Sequence, residues 1–385
     1  MRAAGALVVL TALLAGSAAA SSPPTIRIAV RTLADPSIER TLFPRVTDLC
    51  HVASLGPLRW SLACTHEAEV RAALTAHGFH VAGGVLETRF PWRRLPAYLA
   101  QIGVRGVRRV HAVDAGPRQI SFTRDGRRYE FLRMEPHEAA VAFRRGEVDV
   151  APVAVGDLRA TRLDPVVGPR VRVRPIFAVD VVRFDLARGA LARAPEVRHA
   201  YWLSAAREEY AALVPERAAG PAYGLLRDDP VVKPPNPRRF FPYATGLAQP
   251  RVRLSPGRDA ELAYGAGLLA ADWRDSGLHA HVVRSAPDTF ERLVAAYAEP
   301  EGIFLTLEPR PGPLLRQAVA ASDPLPILRR IDARLRASAA IVPVAWVASA
   351  RLVSSRLRGW RQDGLGAVDY TKVRALRARG SSRRP

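Results

Sequence analysis

Residues 25–30 (TIRIAV) alternate apolar and polar side chains, the period of a half-buried strand. Asp35-Pro36 then opens a short helix over 37–42. Residues 66–80 set Val70, Ala73 and Leu74 on one helical stripe, and Gly78 ends it. Residues 91–103 read as one or two helical turns interrupted by Pro96. Residues 118–133 spell a hairpin: Ile120 and Phe122 precede Asp125-Gly126, and Tyr129 and Phe131 follow. A helix over 137–144 stops at Gly146, and Val148, Val150 and Val153 make a strand. Over 171–186 the apolar positions alternate again, at Val171, Val173, Ile176, Val179, Val181 and Phe184. Residues 196–214 form one helix burying Val197, Ala200, Leu203 and Tyr210. A run with Pro230, Pro234, Pro235, Pro237 and Pro242 is irregular or extended, and Phe240, Phe241 and Tyr243 argue against a free linker.

The last third switches period repeatedly. A strand at 251–254 leads to a helix at 258–275 ended by Gly277, then a strand at 279–283. A second helix is expected over about 287–297, a strand at 303–307 and a helix over 313–337. A strand at 341–346 continues at Leu352-Val353. Such β-α-β-α-β text implies a parallel or mixed sheet with helices on its faces.

With 385 residues, 48% hydrophobic and 24% charged, the chain can bury two domains or one two-lobed body. Arg2, the apolar run 6–15 and Ala18-Ala19-Ala20 read as a secretory signal peptide over 1–20. The run is short for a bilayer span. In Leu14-Ala15-Gly16-Ser17 a serine stands where a lipoprotein box carries cysteine, so no thiol is there to lipidate. A soluble exported protein is expected, periplasmic or extracellular. In an oxidising compartment Cys50 and Cys64, with Gly56-Pro57 between them, read as a disulfide; two buried thiols are the alternative. Closing so short a loop contributes roughly 3 kcal/mol in the chain-entropy model.

The formal net charge is +21, almost all from arginine, since the only lysines are Lys233 and Lys372. The arginines are dispersed apart from the tail 374–384, which favours a solvated surface over a dedicated polyanion site. Catalytic text is missing: there is no Gly-x-Ser-x-Gly, no His-Glu-x-x-His and no glycine-rich phosphate loop. His66-Glu67 and His137-Glu138 fall at expected helix starts, where glutamate complements the helix dipole. His77 with His80, and His279 with His281, lack a third ligand cluster nearby, so no metal is expected.

Four stretches in order carry a likeness. They are HEAAVAFRRGEVDVAPVAVGDLRA from 137 followed by the segment 177–214, the helix-strand pair ending WRDSGLHAHVV, the text AIVPVAWVASARLV from 340, and RLRGWRQDGLGAVDYTKV from 356. Together, over 119–373, they resemble the family 5 extracellular solute-binding proteins, the dipeptide-, oligopeptide- and nickel-binding receptors of ABC importers. Two departures stand out. Only about 115 residues separate the signal from the first of these stretches, at 137, and the family's acidic anchor is replaced by IFLTLEPRP from 303. The resemblance implies an α/β, two-lobed periplasmic-binding-protein-like (type II) fold with mixed sheets, an interlobe hinge and a reduced N-terminal lobe. One lobe would hold 21–178 and 347–385, the other 179–346. A small solute, a peptide above all, would sit in the cleft for delivery to a membrane-embedded ABC permease. The ligand-binding candidates are Trp346, Glu308, Phe177, Asp180 and Arg183. No catalysis, cofactor, metal or specific nucleic acid is implied, and a monomer is expected. The alternative is a secreted basic protein that binds anionic polymers and keeps a vestigial cleft.

Overall fold

The computed structural model describes residues 25–153, 157–187, 191–213, 218–227, 252–257 and 259–376. The expected signal peptide, the proline-rich run and most of the basic tail lie outside the described residues.

The strands of the two larger sheets, in chain order, are β1 (Thr25–Val30), β2 (Cys50–Gly56), β3 (Arg59–Cys64), β4 (His80–Ala82), β5 (Val85–Glu87), β6 (His111–Ala115), β7 (Gln119–Arg124) and β8 (Arg127–Arg133). They continue with β9 (Val150–Pro152), β10 (Val171–Arg183), β11 (Ala218–Pro221), β12 (Val252–Ser255), β13 (Ala280–Val282), β14 (Asp288–Val294) and β15 (Ile341–Val353). One mixed sheet takes most of them, in the order β13-β12-β14-β10-β15-β9-β1-β8-β7-β6, with β11 pairing β15 at its side. β1 runs parallel to β8 and β9, and β12 runs parallel to β13 and β14. The long central strands β10 and β15 are antiparallel and carry the chain across the middle of the sheet. A separate four-stranded sheet, β2-β3-β5-β4, holds residues the sequence pattern had left mostly unassigned. Its β2–β3 register places Cys50 opposite Cys64, and the two form a disulfide.

Several elements follow directly from local chemistry. In the β7–β8 hairpin Asp125 and Gly126 both take positive φ, +50° and +66°, as a two-residue primed turn requires. The helix Ala260–Asp275 begins where Asp259 accepts hydrogen bonds from the Glu261 and Leu262 amides.

Five expectations are corrected. Residues 288–294 are a strand, because Asp288, Phe290 and Leu293 turn inward on a period close to two while the sheet offers β10 and β12 as partners. The apolar run near 303–307 is a helix, Pro300–Leu307, started by proline at its first turn. Short apolar runs suit a buried helix or a buried strand equally, so period alone could not decide. The helix over 196–214 is two, Pro195–Leu203 and Arg207–Leu213. The helix over 313–337 is likewise two, Pro313–Ala320 and Leu325–Ser338, separated at Asp323-Pro324. Pro96, expected to interrupt a helix, sits in the first turn of Leu95–Leu99 and helps start it.

The core is divided unevenly. One cluster, with Tyr201, Trp273 and Phe290, lies wholly within residues 182–345. Two others, centred on Phe131 and on Phe143, draw only on residues 26–171 and 350–373. The largest cluster is shared: Trp60, Trp92 and Leu99 pack with Tyr297, Phe304, Leu328 and Trp346.

Candidate functional site

The ladder between β10 and β15 breaks once near its centre. Pro175 faces Ala348 and Val179 faces Trp346, so three residues of β10 stand against Val347 alone. Such a bulge re-aims side chains and leaves backbone groups to be satisfied elsewhere. The Phe177 N–H donates to the Gly364 carbonyl at 2.7 Å, and the Phe177 carbonyl accepts from the Ala295 N–H at 2.8 Å. The Ile176 carbonyl accepts from Arg227 Nη2 at 2.6 Å.

Beside this bulge is a cavity of about 110 Å³, whose lining includes Phe177, Trp346, Arg227, Arg329, Leu225 and Ile303. The Arg227 guanidinium lies 5.0 Å from the Trp346 ring centre and 5.8 Å from that of Phe177, within cation–π range of both. The lining is mainly apolar, with charge supplied by two arginines. It suits a solute with an apolar or planar portion and a polar or anionic end.

Two of the five sequence candidates, Phe177 and Trp346, therefore come together on one cavity. Asp180, three residues from Phe177, does not line it. Only 3% of Asp180 is exposed. Its Oδ1 accepts from Arg292 Nε at 2.8 Å, and its Oδ2 from Arg292 Nη2 at 3.1 Å and from the Tyr210 hydroxyl at 3.0 Å. Burial works against the charged form of Arg292, but Asp180 and Glu261 outweigh it and hold the Arg292 pKa above its ordinary value. Glu261 also pairs with Arg31, just past β1, so the network ties the two flanks of the sheet together. Arg183 pairs with Glu291 across β10 and β14 at 2.6 Å. Glu308 accepts from the Gly312 N–H at 2.8 Å and holds a local turn.

Sequence reading missed Arg227 and Arg329. Arg227 sits in the plain text GLLRDD and Arg329 on an amphipathic helix, and neither spacing signals that the two converge. Among the described residues no group of His, Cys, Asp and Glu could hold a metal ion. His77 is held by the Ala73 carbonyl, while His279 and His281 are exposed. No helix among the described residues is long and apolar enough to cross a membrane.

A second constellation joins segments far apart in sequence. Trp92 Nε1 donates to the Tyr297 hydroxyl at 3.3 Å, and that hydroxyl donates to Glu301 Oε1 at 3.2 Å. Phe79, Phe90 and Tyr98 pack around Trp92, and Arg94 pairs with Glu299 and Glu301. The Arg93 N–H donates to the Val319 carbonyl at 2.9 Å. Burial raises the pKa of the Glu301 carboxyl above its ordinary value.

No family model matches the sequence, and no curated protein matches it. Solved structures do. The murein tripeptide binding protein MppA of Escherichia coli superposes with a TM-score of 0.72 at 13% identity, over 93% of this chain and 99% of that one. NikA of Brucella suis, solved with Fe(III)-EDTA, also gives 0.72 at 13% identity, over 91% and 100%. A dipeptide binding protein from Pseudoalteromonas sp. SM9913, solved with Met-Leu, gives 0.69 at 10% identity, over 91% and 100%. At these identities the likeness establishes the fold: a mixed α/β architecture shared with the two-lobed periplasmic binding proteins.

Proposed function

We propose that this chain, with the fold of the ABC-importer solute-binding proteins, captures a small solute and hands it unchanged to a membrane permease. In this reading residues 1–20 direct export to the periplasm or beyond. Residues 21–178 with 347–385 form one body and 179–346 the other, and the protein acts as a monomer. The bodies part and close about β10 and β15, a hinge motion of a familiar kind. The observation that carries the reading is the cavity at the β10 bulge, where two aromatics on the crossing strands meet Arg227.

A peptide is the favoured cargo, in keeping with structural neighbours described as a murein tripeptide binding protein and as a dipeptide binding protein solved with Met-Leu. A cavity of about 110 Å³ admits one side chain or a group of that size. The rest of a longer cargo would lie where the bodies meet, which requires them to separate for entry. Phe177 and Trp346 contact the apolar part, and Arg227 and Arg329 the polar end. Asp180 positions β10 through Arg292 and Tyr210, while Arg183 and Glu308 stand outside the contact. The chemistry is non-covalent throughout.

The test is native mass spectrometry of the protein as purified, followed by thermal unfolding with a pool of short peptides. A stoichiometric small molecule and a rise in Tm are expected. No bound solute and no shift with peptides, sugars or metal chelates would overturn the reading. The charge of +21 favours a second reading, an anionic-polymer binder. Retention on heparin that outlasts a charge-matched basic control would favour it.

A further inference from the structure

Between β9 and β10 the chain turns back through a knuckle that leaves two large apolar side chains in water. Leu163 is 77% exposed and Val166 69%, the highest values among the large hydrophobic residues described. Local structure fixes them there. The Asp164 carboxylate accepts from the Val166 and Val167 amides at 2.8 and 3.1 Å, and Val167 itself is buried. The Gly168 N–H donates to the Asp164 carbonyl at 2.8 Å. A Cβ on Gly168 would stand 2.3 Å from the Arg162 carbonyl oxygen, so this tight return needs glycine.

The surroundings are cationic. Residues 157–174 contain Arg159, Arg162, Arg170, Arg172 and Arg174 but only Asp157 and Asp164 as acids, and Arg144 pairs with Asp164 at 2.6 Å. Arg172 donates to the Pro169 carbonyl at 2.8 Å, which holds its guanidinium against the knuckle. A solvated surface accounts for the arginines, but it gives no return for holding leucine and valine outward. An anionic bilayer surface accounts for both. Its phosphates attract the guanidinium groups, and its headgroup layer accepts apolar side chains.

We propose that this knuckle docks the protein reversibly on an anionic lipid surface, with Leu163 and Val166 entering the headgroup layer and the surrounding arginines meeting phosphates. Two side chains are too few for permanent anchoring, so the contact is peripheral and sensitive to salt.

The test sediments the full exported chain with vesicles of phosphatidylglycerol and phosphatidylcholine in equal parts, and with phosphatidylcholine alone. Binding to the mixed vesicles at about 50 mM salt is expected, with loss at about 0.5 M and little binding to the neutral ones. L163S/V166S should weaken binding about tenfold, and R159E/R162E should abolish it. R310E/R316E makes the same charge change at exposed arginines elsewhere and should alter binding by less than about twofold. All substituted side chains are exposed, and an unchanged Tm verifies folding. Equal losses in the two charge-reversed proteins, or L163S/V166S binding as the parent does, would reduce the effect to diffuse attraction and overturn the proposal. So would binding that appears only when the vesicles carry a reconstituted transporter, which would assign the knuckle to a protein partner.

Discussion

Asp180 and Glu301 are both almost fully buried carboxylates, at 3% and 1% exposure, yet they are satisfied very differently. Asp180 receives a two-pronged arginine and a tyrosine hydroxyl, all within the sheet and the helices packed on it. Glu301 receives one hydroxyl and a longer arginine contact of 3.5 Å, and its Oε2 has no hydrogen-bond partner among the described residues. Asp180 belongs to a fixed framework. Glu301 stands where residues 79–98 meet residues 295–319, beside the core cluster in which Trp92 and Leu99 pack with Tyr297 and Phe304. On the proposed function, the less fully satisfied contact is the one that opens at lower cost. On that same reading, separation therefore begins at that face, while the contacts of Asp180 with Arg292 and Tyr210, all within residues 180–292, hold firm.

The largest test of that contrast is Asp180→Ala. Removing one member of a buried pair strands the Arg292 charge and should cost about 3–5 kcal/mol, read from urea unfolding. A cost under about 1 kcal/mol would remove the distinction. Phe177→Leu comes next and asks whether the neighbouring side chain on β10 serves cargo instead. It should lower stability by only about 1 kcal/mol while weakening solute binding about tenfold, measured by calorimetry once the solute is known. Equal effects of Asp180→Ala and Phe177→Leu on stability would merge the two roles.

Glu301→Gln is the smallest effect and has a defined pH signature. A carboxyl whose folded-state pKa is raised costs stability while ionised. That cost is full above the folded pKa and fades as pH falls through it toward the unfolded value. The glutamine variant should therefore gain about 1 kcal/mol at neutral pH and lose the advantage in acid. A gain that persists in acid would point to packing rather than charge.

Much of the frame was legible in the sequence, because strand alternation, capping residues and turn glycines act over a few positions. The β7–β8 hairpin, the helix after Asp259 and the long strands at 171–183 and 341–353 follow from such local rules. The same rules misassigned 288–294 and 300–307, where residues compatible with either state were decided by the partners the sheet offered. Phe177 and Trp346 came from likeness to a family rather than from spacing, and the likeness could not separate Phe177 from Asp180, which stands on the same strand.

What the sequence determined by itself was the set of elements whose period is unmistakable, the pairing-ready cysteines and the excess of positive charge. Tertiary structure alone decided that β10 bulges opposite Val347 and that Arg227 reaches back to the freed Ile176 carbonyl. The reason is range. Local propensity acts between neighbours, whereas these features arise from strands and loops meeting across fifty to two hundred residues, where packing geometry and unsatisfied backbone groups set the outcome.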